Sequence, residues 1–543
     1  MSPASPATPS TSGMPAALDT PRVAWQPGDD LASIIARHAR SAPDDAALIQ
    51  GDGKGDAKRD HRVTWSELDR GVDRVAAALA ASGVVPGTKI AFLADNSIAY
   101  AEALFGALRA GACAVPLPSM AAPDSLARMM VDSGSRALFV DAAHREVGAG
   151  LASAAGGDLL RVMFDGSSAE FVARDAFLAR ARGAAPAIAI GADDAFDVMY
   201  SSGTTGIPKG IVHTHGARKA SYGGSRAGYF DARSVNVVAT PYYSNTTSVT
   251  WFITTARGGA NVILGKFSPE AFLAAVERHK VTHAMLVPVQ YERILRSERF
   301  GSADLASLRC LFSTSAPLAA DTKRRILDEM RAELIEIYGL TEGGPVTVLE
   351  ASRHPTKLTS VGKPSPGVEV RVIDEEGRDV PAGGAGEVVG RSSNMMSGYL
   401  NRPEDTAAML WRDAQGTLYF RTGDLGRLDE DGFLYLLDRK KDVIISGGFN
   451  VYATDLEAVL VRHPAVAEAT VIGVPSEKWG ETPLALVVAR PEAAVTEQEL
   501  LEFCNARVGK LQRLSGVVLR GPLPRNAIGK VLKRELRDPY WKK

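Results

Sequence analysis

The sequence predicts an α/β fold: a large N-terminal domain of mainly parallel βαβ sheets with a β subdomain, then a small α/β C-terminal domain. Three observations carry this reading. Strand-like apolar runs alternate with helical periodicity over much of the chain, as parallel strands joined by crossover helices require. From about Gly362 the rhythm gives way to short β runs between Gly- and Pro-containing turns. The length, 543 residues, exceeds what one core can organise and suits several units.

The elements follow in order. Thr64-Trp65-Ser66-Glu67 is a capping box, and Leu68, Val72, Val75 and Leu79 continue it at helical spacing. Lys89–Ala94 reads as a strand, Ser97–Ala110 as a helix and Ala112–Pro116 as a strand. The pattern returns as strand 261–264, a helix from Ser268-Pro269-Glu270 and strand 282–287. It returns again as strand 308–312, helix 321–330 and strand 334–337. The β runs 368–373, 386–389, 418–421 and 433–437 come next, and the charged knot Asp438-Arg439-Lys440-Lys441-Asp442 reads as a boundary.

Lys plus Arg number 62 against 63 Asp plus Glu, so a nucleic-acid partner is not indicated. No uninterrupted apolar stretch reaches the roughly 18 residues that membrane insertion needs. Residues 1–22, rich in Pro, Ser, Ala and Thr, read as a disordered leader rather than a signal peptide, which predicts a cytoplasmic location. The three cysteines, Cys113, Cys310 and Cys504, are too scattered for a disulfide framework or a zinc site and read as buried small side chains.

Two segments carry chemistry. After the strand-like run 196–200, Ser201-Ser202-Gly203-Thr204-Thr205-Gly206-Ile207-Pro208-Lys209-Gly210 combines small residues, hydroxyls and a lysine, the composition of a phosphate cradle. Pro208 stands where a Walker A loop needs glycine. Ile337-Tyr338-Gly339-Leu340-Thr341-Glu342 closes a predicted strand, where open α/β sheets collect ligands; its aromatic, hydroxyl and carboxylate suit a base, a phosphate and a magnesium ion. His279 and His283 lack the intervening glutamate and shared helix of a zinc motif, while His213 and His215 read as packing or hydrogen-bonding residues. Lys533 reads as a solvated lysine.

Together these two motifs resemble the phosphate and adenine loops of the adenylate-forming superfamily: acyl- and aryl-CoA synthetases, peptide-synthetase adenylation domains and luciferases. Further pieces follow in that family's order: Ser315-Ala316-Pro317-Leu318, Gly386-Glu387-Val388, Arg421-Thr422-Gly423-Asp424-Leu425, Ser446-Gly447-Gly448-Phe449-Asn450-Val451 and Pro524-Arg525-Asn526-Ala527-Ile528-Gly529-Lys530. The resemblance spans roughly Leu31 to Asp538 and is closest to the acyl-CoA synthetases. It implies that Ser201, Ser202, Gly203, Thr204, Thr205 and Lys209 hold phosphates, with Thr205, Glu342 and Lys530 catalytic. Ser315, Ala316, Glu336, Ile337, Tyr338 and Thr341 would complete the ATP/AMP site, with Tyr338 on adenine and Thr341 at the α-phosphate. Glu342 would ligate Mg²⁺, and Asp424 and Arg439 would hold the ribose. Lys441 would be the hinge, and Gly447 and Gly448 would flank the coenzyme A tunnel. The implied domains are 23–438, with its β subdomain over 362–438, a hinge at 439–441 and a mobile C-terminal domain over 442–543.

The pattern departs from the family at the acyl pocket. Pro241-Tyr242-Tyr243-Ser244 has serine where many members have histidine, and Thr314 replaces a common glycine. With Asn245, Thr246 and Thr247, Ser244 predicts a polar wall beside Tyr243 that disfavours long saturated chains, because burying unpaired hydroxyls costs about 1–3 kcal/mol each. The implied activity is an ATP- and Mg²⁺-dependent carboxylic acid–CoA ligase, with short- or medium-chain or aromatic acids favoured. The alternatives are a stand-alone adenylating enzyme loading a carrier-protein thiol and an inactive nucleotide-binding sensor. Its partners would be the acid, ATP and CoA, and homodimerisation stays open.

Overall fold

The computed structural model describes residues 24–51, 60–201, 208–446, 449–491, 493–525 and 531–541. Two compact units emerge. One is drawn from Met1–Leu358, Ser365–Glu369 and Arg391–Phe420, the other from Thr359–Pro364, Val370–Gly390 and Arg421–Lys543. The charged knot Asp438–Asp442 therefore falls inside the second unit.

In chain order, the strands of the first unit's two large sheets are β1 (Ala46–Gln50), β2 (His61–Thr64), β3 (Lys89–Leu93), β4 (Cys113–Pro116), β5 (Ala137–Val140), β6 (Leu160–Met163), β7 (Val172–Ala173), β8 (Ala195–Ser201), β9 (Lys209–Thr214), β10 (Val235–Val238), β11 (Ala260–Ile263), β12 (His283–Leu286), β13 (Cys310–Ser313), β14 (Glu333–Gly339) and β15 (Val346–Glu350). One sheet runs β15-β14-β13-β12-β10-β11-β1-β2, and the other runs β9-β8-β4-β3-β5-β6-β7, with Gly398–Tyr399 beside β9. Pairing from β14 through β1 is parallel, as is pairing from β8 through β7. β1/β2, β14/β15, β8/β9 and the added Gly398–Tyr399 edge pair antiparallel.

Local chemistry sets these elements. The Thr64 hydroxyl accepts from the Glu67 amide, and Glu67 returns the bond, opening helix Trp65–Ala81. Its Leu68, Val72, Val75 and Leu79 are buried. Ser97 caps helix Ile98–Arg109, and Ser268 caps helix Pro269–His279 with proline at the first turn. The helix expected over 321–330 is α-helical only over Ala320–Arg325; Ile326–Met330 widens to a π turn, and Ile326 and Met330 are both buried. All three cysteines are buried. Burial pushes the Cys113 and Cys310 thiols well above their ordinary range and the Cys504 thiol to about 11.

In the second unit, Asp424–Leu428 pairs antiparallel with strand Leu434–Arg439 and places Asp424 opposite Arg439. Beyond them Val466–Ser476 and Gly480–Ala489 form a long hairpin, with Gly516–Leu519 added in parallel. Helices Ala453–Leu460 and Glu497–Asn505 bury Leu456, Leu460, Leu500 and Cys504 in the same core as Val471 and Val487. Lys533, expected in solvent, instead lies 2.8 Å from Glu457 and is largely buried. Burial alone would lower its basicity, but Glu457 and Asp438 more than offset that and raise it.

His213, His215 and His283 are core groups. The His283 ring stacks on Phe230, donates to or accepts from Thr282, and approaches the Tyr229 carbonyl at 3.0 Å. His279 instead ends its helix beside Asp60. His215 packs edge-on to Phe196, and its buried Nδ1 has no partner among the described residues. Burial depresses the His215 and His283 rings from 6.5 to about 4. The unfolded chain therefore binds protons near pH 6.5 that the folded protein refuses, so stability falls as pH drops from about 6.5 toward 4. Thermal melts across that window should show the decline, and His215→Phe should flatten it; an unchanged slope would mean that the ring is not buried neutral.

Candidate active site

The sequence-selected residues of the first unit gather beyond the C-terminal ends of parallel strands. Tyr243 and Ser244 follow β10, Thr314, Ser315 and Ala316 follow β13, and β14 carries Ile337 and Tyr338 toward Thr341 and Glu342. This is the edge where the strands' backbone groups run out of partners and where open α/β sheets bind ligands.

Glu342 is held from two sides. Its carbonyl accepts the Met396 amide at 2.9 Å, and its carboxylate accepts the Tyr399 hydroxyl at 2.9 Å. The face of the same tyrosine lies 5.0 Å from the Lys209 ammonium, which also meets Asp405 at 3.3 Å. Tyr399 thus joins a cation suited to phosphate and a carboxylate suited to a metal. One Glu342 oxygen is oriented by the phenol and the other is left for a hard cation, a donor set that fits Mg²⁺, which uses one or two carboxylates alongside substrate phosphates. Gly343 makes this close packing possible: its φ is +77°, and a Cβ there would lie 2.5 Å from the Asn394 carbonyl oxygen.

A buried network fixes the other end of the loop. Asp197 on β8 accepts from the His213 ring at 2.7 Å and from Arg218 through two nitrogens at 2.9 Å. The other His213 nitrogen lies 2.7 Å from the Thr341 carbonyl oxygen. Arg218 continues to Asn245 at 2.7 Å. Burial would raise the Asp197 carboxyl, but Arg218 and His213 outweigh it and hold it below its ordinary range.

Other expected residues differ in detail. Glu336 is buried, with one oxygen accepting the Leu318 amide at 3.0 Å and the Lys323 ammonium against the other. Its carboxylate therefore shapes the Ser315–Leu318 loop rather than standing free for nucleotide. Ser315 sits at φ +78° with its hydroxyl 2.6 Å from that of Thr246. Each side chain of the polar wall expected from Ser244 to Thr247 has a partner inside the protein. Ser244 accepts the Thr246 amide, Asn245 takes Arg218, Thr246 takes Ser315, and Thr247 bonds Thr240 and the Pro241 carbonyl. The desolvation argument against long chains therefore loses its force. Tyr243 is different: its hydroxyl is buried with no partner among the described residues, and burial, reinforced by Asp95, pushes it up to about 12.

In the second unit, Arg439 Nε lies 2.6 Å from Asp424, which is 6 % exposed, and Thr422 donates to the Val388 carbonyl to fix the turn. Glu387 collects Arg421 and Lys440 nearby. Lys441 is exposed, yet the protein around its stem partly desolvates the ammonium and lowers its basicity, and its carbonyl accepts from Arg537 at 3.3 Å. Ser202, Gly203, Thr204, Thr205, Gly447, Gly448 and Lys530 lie outside the described residues, and Ser201 is placed only by its backbone pairing with Lys209. Tyr399, Asp197 and Arg218 were missed by sequence reasoning. Tyr399 is 57 residues from Glu342, and His213 is 128 from Thr341, so no local motif links them.

The family description "AMP-binding enzyme" matches residues 35–400, and "AMP-binding enzyme C-terminal domain" matches 455–530. A feruloyl-CoA synthase of Amycolatopsis sp is 37% identical over 94% of this chain and 99% of its own. The long-chain-fatty-acid–CoA ligase FadD13 of Mycobacterium tuberculosis is 33% identical over 89% of this chain and 94% of its own. The ATP-bound structure of MatB from Rhodopseudomonas palustris superposes with a TM-score of 0.81 at 30% identity, covering 94% of this chain and 99% of that one. The chain belongs to the AMP-binding enzyme family. Within that family it is an acid–thiol ligase of the AMP-forming acyl-CoA synthetase kind.

The Tyr399–Glu342 bond can be tested directly. Tyr399→Phe keeps the ring beneath Lys209 and removes only the donor to the carboxylate. Losing a hydrogen bond to a charged group costs about 1.5–3 kcal/mol. The Mg²⁺ concentration for half-maximal pyrophosphate release should rise roughly ten-fold or more; an unchanged Mg²⁺ curve would remove Tyr399 from the site.

Proposed function

We propose that the chain activates a short- to medium-chain or ring-bearing carboxylic acid as its adenylate and passes the acyl group to coenzyme A. The observation that carries this is Tyr399 holding Glu342 by its hydroxyl and Lys209 by its ring, at the strand ends that also carry Tyr338 and Thr341. A carboxylate is a poor acyl donor because oxide would have to leave. Attack of the acid oxygen on the α-phosphate of ATP forms the acyl–phosphate bond and expels pyrophosphate, so that AMP becomes the later leaving group. Two anions must meet, and charge grows on the α-phosphate as they do.

Lys209 and the Ser201–Thr205 loop would hold the departing phosphates, Thr341 the α-phosphate and Lys530 the meeting oxygens, offsetting that charge where it develops. Bound at Glu342, Mg²⁺ would supply Lewis-acid stabilisation of phosphate oxygens. Tyr338 would stack adenine while Asp424 and Arg439, already paired, take the ribose hydroxyls. For the second step the thiolate attacks the acyl carbon, a tetrahedral intermediate collapses and AMP leaves. Rotation about Lys441 would withdraw Lys530 and bring Gly447 and Gly448 alongside the thiol arm.

The acid class rests on narrower ground than the reaction. Thr314 is half-buried beside the β13 exit, which shortens the site relative to glycine. The unpartnered Tyr243 hydroxyl favours an acid that brings an oxygen to it. A feruloyl-CoA synthase among the relatives supports a ring-bearing acid, while the long-chain ligase among them supports the alternative.

Lys530→Ala should lower adenylate formation by roughly two to three orders of magnitude while sparing thioester formation from supplied acyl-adenylate, as expected for a charge acting in one transition state. Gly448→Trp should do the reverse. Equal loss of both steps in both folded variants would end the two-conformation reading, and ADP as the primary product would end the adenylate mechanism. Among acids, aryl and medium-chain substrates should exceed palmitate in kcat/KM below its micelle threshold; a clear palmitate preference would reverse that assignment.

A further inference from the structure

Beside β15 lies a cavity of about 250 Å³ whose walls include Arg226, Ser365, Ser392, Asn394 and Val346. Arg226 sits in the 3₁₀ turn Ser225–Tyr229 and is 9 % exposed. Its Nε has no hydrogen-bond partner, and no carboxylate pairs with the guanidinium among the described residues. Burial alone pulls its basicity down, to about 10, with no acid to restore it. The buried Ser365 hydroxyl likewise lacks a partner. Among the described residues no acidic side chain lines the cavity, and its other cation, Lys219, is already bound to Asp29. Backbone shape serves the same arrangement. A Cβ at Gly224 would lie 2.7 Å from the Ala220 carbonyl oxygen, so the helix can turn this tightly into Arg226 only with glycine there.

A buried guanidinium without a counter-charge is costly, and a fork of donors matches a carboxylate in two-point geometry. The cavity also flanks the reacting loop. Val346 follows Glu342 by the short run Gly343-Gly344-Pro345, and Asn394 packs against Gly343. We propose that this cavity binds a carboxylate through Arg226 and Ser365. Its source is either the remote carboxylate of a dicarboxylic substrate or a free small carboxylate. The first source rests on the acid-activation reading above; the site itself does not.

The test uses the full-length protein and Arg226→Met, which keeps the stem and removes the donors. Thermal melts are read with chloride replaced by acetate, glutarate or phosphate at constant ionic strength. Rates are read for matched pairs, terephthalate against 4-methylbenzoate and adipate against hexanoate. A saturable rise in melting temperature with carboxylate that Arg226→Met abolishes supports the site. If the dicarboxylate-to-monoacid ratio of kcat/KM also falls roughly ten-fold in the variant, while the monoacid rate holds, the substrate is the source. If the melting response is lost but the ratio is unchanged, a free anion is the source. No carboxylate response in the parent protein and no change in the ratio would overturn the proposal. Ser365→Ala is measured alongside and should weaken the same response several-fold, so the answer does not hang on one variant folding. Monoacid-dependent pyrophosphate release, followed in parallel, reports on the ligase reading separately.

Discussion

The buried carboxylate of Asp197 is the group on which the first unit's reacting loop depends. It sits on β8, accepts Arg218 through two nitrogens and holds the His213 ring, whose far side meets the Thr341 carbonyl. The imidazole is wedged between the Asp197 carboxylate and the Thr341 carbonyl, with Arg218 also against its Nδ1, and serves as a rigid spacer between one sheet and the loop that leaves the other. Arg218 extends the same network to Asn245, at the start of the helix beneath the expected acid pocket. Strand β8, the loop carrying Thr341 and the start of the helix at Asn245 are thereby referred to one buried anion, which burial makes expensive to leave unpaired.

Where function needed only local information, the sequence was readable. The capping box at Thr64, the serine caps at Ser97 and Ser268 and the alternation of strands and helices depend on residues within a few positions of each other, and the fold shows each of them. The strand exit that carries Ile337 and Tyr338 was readable for the same reason, because the end of a strand is a local event. Partnership across the chain was not. Tyr399 looks like any strand tyrosine until Gly398–Tyr399 is seen beside β9. Lys533 is indistinguishable from a surface lysine until Glu457 is found against it.

The misjudged polar wall shows the same limit from the other side. Ser244, Asn245, Thr246 and Thr247 are polar by composition, yet each has a hydrogen-bond partner within the protein. Polarity in a sequence states capacity, and only the fold states what has been used. Arg226 is the converse, a common residue made unusual by burial with no carboxylate paired to it among the described residues.

The treatment of sulfur has a consequence for an enzyme that makes an acid reactive toward thiols. An acyl-adenylate does not discriminate by origin among thiolates that can reach it, and a protein's own cysteine would be acylated and withdrawn from turnover. Here Cys113, Cys310 and Cys504 are all shut into apolar cores, their ionisation suppressed by burial. Such thiols are neither reachable nor nucleophilic at neutral pH. The protein is in this sense immune to its own intermediate, and the acyl group is kept for an acceptor that arrives from outside.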